Sequence, residues 1–554
     1  MGKLWVAAGM MLVLAASARG EMSRAEIEGG IEQGVKFLIS KQGDDGHWPY
    51  QEAAGAENPL YKVGHTALVV LALQHSGNKS PEAQLAIKKG LSYIVQQQPE
   101  PTAYSAGLVA QVLYMDSVLG NRMPMTPYVT AYGWMLCGGQ KQDGADMGGW
   151  GYLMPTLPKT WMTSGPGNLM SRPEGVNNST NQFGLLGTVY VQKSGFQVPR
   201  VVWERQRAYL TRTQHPDGGW DYLSDVYRAS LPEGHYGREP RPETINMTLA
   251  GTVSVYMCDE MLADKSHRVC KAPEPDKTHE EGLKWIAKNW NRLPGGGGMY
   301  GAYGWYSCER LGILTGYSEF GGHDWFQAGA PEMMGAAGSG DTVMASLGVL
   351  FLSRGRNPII INKLRREGDW NLHWFDLSHL TEYISGPGQK PCQWRIVTLT
   401  VPVDYLLKVP MLWISGHDAL NFTAEEKAKL KEYVEKGGTI LAEDCCSKKA
   451  FDESFRGMLK ELWPEKELTE VPKTHAIYTS YRKLASAPRL MGLTMGGEEG
   501  RPGVIYLPNG ISCKWEVAGT DARGAMDAGM NIYLYVDKMF KQAKAEAEKK
   551  DGAL

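Results

Sequence analysis

Gln214-His-Pro-Asp-Gly-Gly-Trp220 is the stretch of this chain on which the fold is decided. Each residue type has a local job. Glycine at the end of a helix takes the left-handed conformation that stops it. Aspartate closes the turn by hydrogen-bonding nearby backbone, and the tryptophan ring covers the helix end. The pattern recurs as Gln42-Gly-Asp-Asp-Gly-His-Trp48 and, in stretched form, as Gln142-Asp-Gly-Ala-Asp-Met-Gly-Gly-Trp150. A fourth copy at residues 295–303 keeps the glycines and replaces tryptophan with tyrosine. Recurrence at such intervals is the signature of a repeat architecture.

Working outward from the turns, six runs rich in apolar and small residues follow: 64–75, 104–119, 181–194, 246–262, 302–316 and 341–353. They are apolar on every face, as helices buried all round must be. Each is preceded by a helical segment with a one-sided stripe. Ile27, Ile31, Val35 and Leu38 keep helical spacing, as do Ile87, Leu91 and Ile94. The remaining outer segments fall at 127–140, 201–214, 279–291 and near 324–334. Six amphipathic and six buried helices fit two concentric rings, the inner one lining a central cavity.

With these turns and helix pairs the chain resembles the terpenoid cyclase and protein prenyltransferase superfamily over residues 25–355. The resemblance implies an α6/α6 toroid. It does not carry an activity with it. The Asp-x-Asp-Asp acid of squalene and hopene cyclases is absent, and Cys308 has no aspartate two residues before it as a prenyltransferase zinc site requires. The Cys-Gly-Glu-Gln of thioester domains is absent too. Asp143-Gly-Ala-Asp146 has the spacing of a diphosphate–magnesium motif but belongs to a repeat turn.

After Leu352-Ser-Arg-Gly-Arg-Asn-Pro358 the periodicity changes. Ile396-Val-Thr-Leu-Thr-Val401, Met411-Leu-Trp-Ile414, Thr439-Ile-Leu-Ala-Glu-Asp444 and Val504-Ile-Tyr-Leu507 read as strands. Between them, Thr423-Ala-Glu-Glu426 is a capping box opening a helix that stops at Gly437-Gly438, and 451–462 is another helix. Alternating strands and helices predict a mainly parallel sheet. Ser415-Gly-His417 after a strand, and Glu432-Tyr-Val-Glu-Lys-Gly-Gly438 before the next, are similar to domain of unknown function 4159. That resemblance implies a glutamine amidotransferase-like, flavodoxin-type fold. The expected organisation is multidomain: a signal peptide at 1–20, an all-α toroid at 21–355, a linker and entry to the second domain at 356–392, an α/β domain at 393–540 and a charged tail at 541–554.

Lys3, the apolar run 4–14 and Ala16-Ser17-Ala18 read as an export signal, which places the mature chain in the periplasm or outside the cell. No later run reaches the length that spans a bilayer. Near-balanced charges, net −2 at neutral pH, give nothing that recommends a polyanionic partner, so no nucleic-acid partner is expected. Eight cysteines in 554 residues make no disulfide scaffold, although Cys258 and Cys270 could pair.

Ligands of open α/β sheets bind beyond the carboxyl ends of strands, where His417, Glu443, Asp444 and Cys445 all fall. With His475 in a later loop, Cys445 and His417 are the catalytic candidates, because a cysteine beside a histidine yields a thiolate. The amidotransferase elbow Gly-x-Cys-x-Gly is replaced here by Glu-Asp-Cys-Cys-Ser. In the toroid, His65, Tyr306, Glu309, Arg310 and Asp341 are candidate ligand-binding residues near inner-helix starts. Cys308, His323 and Asp324 are weak metal candidates, a turn being the simpler reading of the last two, and no cofactor is indicated. The sequence favours a binding or scaffold protein holding a ligand or polypeptide in the toroid. The competing reading is an enzyme, either a lyase or cyclase in the toroid or a hydrolase using Cys445. A Cys445 sulfur within reach of an imidazole would count against a purely passive role.

Overall fold

The structure, a computed structural model, describes residues 21–551 apart from 51–57, 121–124, 173–174, 225–227, 230, 235–243, 264–276, 294–297, 388 and 497–499. The export signal, the proposed Cys270 partner and part of the fourth repeat turn lie outside the described residues.

Among the described residues, the twelve longer helices of the first domain form two sets. The outer set is α1 (Arg24–Ser40), α3 (Pro81–Gln96), α5 (Thr126–Gly139), α7 (Arg200–Thr213), α9 (Lys277–Lys288) and α11 (Trp325–Ala337). Interleaved with them are the inner helices α2 (Lys62–Ser76), α4 (Ala103–Leu119), α6 (Asn178–Lys193), α8 (Ile245–Leu262), α10 (Gly298–Thr315) and α12 (Thr342–Gly355). Each inner helix packs on the next, and α12 returns to α2, so the inner ring closes. The chain is therefore an α6/α6 toroid followed by a mainly parallel α/β domain.

The repeat turn staples the rings by the same bonds three times. Gln42 donates to the carbonyls of Gly46 and Ala86, each at 2.9 Å. Gln214 donates to Gly218 at 2.9 Å and Thr278 at 2.8 Å. In each case one bond closes the turn and the other grips the next outer helix. In the stretched copy this glutamine is Gln140, bonded to Gly148 at 2.9 Å and Val202 at 2.8 Å, whereas Gln142 is exposed. Four extra residues loop out after Gln140, so the motif starts two residues before Gln142, where the sequence pattern places it. Trp48, Trp150 and Trp220 donate their indole N–H to Leu38, Leu136 and Leu210, in the last turn of the preceding outer helix. Glycine is required at the centre: Gly46 has φ 96°, and a Cβ there would stand 2.6 Å from the Lys89 carbonyl oxygen. The same collision faces Gly148 with Arg205 and Gly218 with Glu281.

The ring axis is not hollow along its length. Phe183 on α6 stacks on Tyr306 of α10, with centroids 6.0 Å apart, and Arg310 of α10 donates to Gln111 of α4. These pairs join helices that are not neighbours in the ring, so side chains fill the lumen at this depth. The expected central cavity is thus crossed by side chains where these pairs meet.

The second domain is a seven-stranded sheet. Its strands are β1 (Ile359–Leu364), β2 (Gln393–Val397), β3 (Met411–Gly416), β4 (Thr439–Asp444), β5 (Thr469–Glu470), β6 (Met491–Met495) and β7 (Arg501–Leu507), in the order β2-β1-β3-β4-β7-β6-β5. From β2 to β7 the neighbours are parallel, and β6 and β5 add antiparallel pairs at one edge. Alternate residues feed two cores. Leu412 and Ile414 pack under α14 (Ala424–Glu435) and α15 (Lys449–Leu462). Trp413 packs with α13 (Asp376–Ile384), α16 (Ser512–Val517) and α17 (Arg523–Asp551). Residues 356–392, expected as a linker and the entry to the second domain, supply β1 and α13, and the segment expected as a charged tail continues α17 to Asp551.

The sheet domain docks on the carboxyl ends of the inner helices. Glu382 on α13 accepts from Lys193 at 2.8 Å and from Tyr114 at 3.0 Å. His379 reaches Glu260, and Tyr256 donates to the Trp374 carbonyl at 3.1 Å. Among the described residues no helix is long and apolar enough to cross a membrane.

Candidate functional site

Four segments converge at the carboxyl edge of the parallel strands. The loop after β1 brings His373, β3 runs into His417, β4 into Cys445 and Cys446, and the turn after β7 leads to Ser512 and Cys513 at the start of α16. Cys445 Sγ lies 3.8 Å from His373 Nε2, 3.8 Å from Cys513 Sγ and 3.8 Å from Cys446 Sγ. All three cysteines are free thiols. Adjacent residues ordinarily diverge. Here Cys446 (φ 60°) and Ser447 (φ 54°) both adopt the left-handed conformation, which non-glycine residues rarely take, and the turn folds one sulfur back beside the other.

A hydrogen-bonded shell orients the imidazole. His373 Nδ1 lies 2.8 Å from Ser512 Oγ, and Ser512 Oγ also bonds the buried carboxylate of Glu443. Glu443 accepts from the backbone N–H of Ile511 at 2.8 Å and of Ser512 at 3.1 Å, which pins the turn that carries Cys513. Burial pulls the His373 pKa down, but contact with Cys513 and the charges of Asp376 and Glu443 outweigh it, and the net shift is upward. Glu443 is raised by burial, against the pull of His373 and Ser512. Asp444 lies near Tyr506 and Asp452. Burial, then the charges of Asp452 and Glu443, push it up to about 7.

His417 is held by its backbone, whose N–H donates to Asp369; Asp369 also accepts from Asp418 N at 3.1 Å and from Arg366 at 2.8 Å. Its Nε2 is buried with no hydrogen-bond partner. Ligand atoms of His417, Cys445 and Cys446 lie within 4.8 Å of one another, as do those of His373, Cys445 and Cys513. His475 stands apart: it caps a short turn through Ile477 N and faces the Tyr535 hydroxyl at 3.4 Å.

The toroid candidates separate into structural roles. Asp341 caps α12 by accepting from Met344 N at 2.8 Å. His65 spans Trp48 O and Thr342 Oγ1, each at 3.0 Å. Glu309 pairs with Arg354 at 3.3 Å, not with its neighbour Arg310, which lies 4.6 Å over the Tyr306 ring. Cys308 is buried on α10, His323 stacks on Trp290, and Asp324 caps α11 through Phe326 N and Gln327 N. Asp146 accepts from Val176 N and Ser224, as a turn residue does.

His373 and Cys513 were not among the sequence candidates. The signal that finds them is the strand-end rule that finds Cys445, applied to β1 and β7.

No curated protein matches the chain. Among solved structures it is similar to a type II terpene cyclase from Scytonema, with 13% identity, 62% of this chain and 82% of that chain covered, and a TM-score of 0.29. It is also similar to a possible member of the GH105 family from Klebsiella pneumoniae, with 10% identity, 60% and 94% covered, and a TM-score of 0.27. The family described as Domain of unknown function (DUF4159) matches residues 361–536, the sheet that carries the thiol–imidazole cluster.

Proposed function

We propose that this is an exported two-domain recognition protein whose α/β part is a thiol–imidazole centre as well as a binding surface. The observation that carries the reading is Cys445 Sγ at 3.8 Å from His373 Nε2, with the far side of the ring fixed by Ser512 and Glu443. A cysteine beside an oriented imidazole is the arrangement that yields a thiolate. A purely passive scaffold has no use for it. The hydrolase form of the enzyme reading is less well supported, because Cys445 is 0% exposed and a nucleophile must meet its substrate.

The toroid contributes the recognition surface at its amino rim. Tyr104 bonds Ser179 at 2.6 Å, Tyr152 bonds Tyr222 at 2.8 Å, and Asn177 donates to Tyr152 at 3.1 Å. Half-buried rings with tethered hydroxyls offer apolar faces and polar tips to a ligand. Export rests on the sequence signal at residues 1–20.

The test is to offer a panel of small electrophiles to the full chain after a chelator wash and to locate the adducts by peptide mass spectrometry. Modification of Cys445 that weakens in a His373→Ala variant is expected. Modification confined to exposed Cys446, and indifferent to His373, would contradict the reading.

A further inference from the structure

We propose that Cys445, Cys513 and His373 bind a thiophilic divalent metal ion of the zinc class, with the fourth position taken from Cys446 or His417. The inference rests on the thiol–imidazole reading above and names the ligand of that same centre.

Distances come first. Two thiolates on a tetrahedral zinc, each about 2.3 Å from it, stand about 3.8 Å apart, and a thiolate and an imidazole nitrogen about 3.5 Å apart. The Cys445–Cys513 and Cys445–Cys446 separations are both 3.8 Å, and Cys445 to His373 Nε2 is 3.8 Å. These three distances match tetrahedral edges that meet at Cys445, and the ligand atoms of His373, Cys445 and Cys513 all lie within 4.8 Å of one another. Plain van der Waals contact between sulfurs has a similar length. Contact alone does not explain why an imidazole nitrogen is turned onto the same sulfur, or why a second histidine nearby keeps a buried, unpartnered Nε2.

The surrounding shell agrees. A histidine ligand is held in one orientation by a hydrogen bond at its other nitrogen, commonly backed by a carboxylate. Ser512 and Glu443 supply that arrangement behind His373. The ligands arise from the ends of three parallel strands, at the edge where open α/β sheets hold their ligands. Two of the three core ligands are buried and Cys513 is partly open, so an ion has an approach from one side. Two or three thiolates with one or two imidazoles select zinc over the oxygen-seeking magnesium and calcium. Covering Cys445 also accounts for its burial, since a metal ligand needs no exposed surface.

The test uses the full chain expressed and purified without chelator. Zinc is measured by mass spectrometry of the metal, and the chelator-washed protein is reloaded with cobalt as a spectroscopic probe. One zinc per chain, together with the intense thiolate-to-cobalt charge-transfer absorption of a tetrahedral site, is the expected result. Cys513→Ser should lose most of that absorption while circular dichroism stays unchanged. Should that variant fail to fold, the wild-type cobalt spectrum and a thiol count before and after chelation still decide the matter. Absence of retained zinc and of any cobalt–thiolate band overturns the metal site. If Cys445 then still labels in a His373-dependent manner, the thiol–imidazole reading survives alone. If it is inert, both fall.

Discussion

Nε2 of His379 lies 3.2 Å from Oε1 of Glu260, and this contact ties the sheet domain to the toroid. Nδ1 of the same ring lies 3.0 Å from the Trp515 carbonyl oxygen. Both nitrogens face acceptors, an arrangement that favours the doubly protonated, charged ring. Burial opposes that charge, but Glu260, with Glu382 behind it, prevails over burial and over Lys193, and the pKa is raised.

A raised histidine pKa has a definite consequence for stability. The contribution is complete below about pH 6.5, the ordinary imidazole value, and is lost as pH rises through the higher folded value. Urea unfolding of the wild type across that window is expected to show stability falling as pH rises. A His379→Gln variant is expected to flatten the curve. An unchanged slope in that variant would show that another group carries the dependence.

The repeat register is testable by two neighbouring glutamines. Gln140→Ala strips partners from the carbonyls of Gly148 and Val202 and is expected to cost about 1–3 kcal/mol. Gln142→Ala, at an exposed position, is expected to stay within about 0.5 kcal/mol of wild type. Equal losses in chemical denaturation would reject the assignment of Gln140 as the staple.

Inside the ring, Arg354 is the ion-pair partner of Glu309, which has zero exposure. Burial pushes the Glu309 pKa up, and Arg354 and then Arg310 pull it back. Removing one member of a buried pair strands the other, so Arg354→Met is expected to lose about 3–5 kcal/mol. The double variant Arg354→Met with Glu309→Leu is expected to recover much of it. Additive losses in thermal unfolding would show that the two do not act as a pair.

The toroid was legible because its turns are local. Asp, Gly and Trp at fixed offsets determine how one helix hands over to the next, whatever lies elsewhere. The same locality misled at Gln142, where an insertion left two glutamines and only the bond to Val202, on a different helix, distinguishes them. Strands β3 and β4 were legible from their apolar runs. Ile359-Ile-Ile-Asn-Lys-Leu364 was not, because buried Asn362 and Lys363 interrupt it. Their partners, Arg395 for Asn362 and Asp376 for Lys363, come from distant segments. Missing β1 hid His373. The candidate site was therefore only half legible: Cys445 and His417 follow strands that the pattern reveals, whereas His373 and Cys513 lie 72 and 68 residues away and meet Cys445 only through the sheet.

The most direct measurement is the alkylation rate of Cys445, resolved by peptide mass spectrometry, in chelator-washed full-length wild type and in His373→Asn. The buried sulfur is reached through opening fluctuations common to both proteins, so their ratio reports the imidazole. A drop of about a hundredfold or more in the variant, the lower range for an assisting base, is the expected result. Equal rates would mean that Cys445 and His373 merely touch, and would contradict a functional centre at the edge of this sheet.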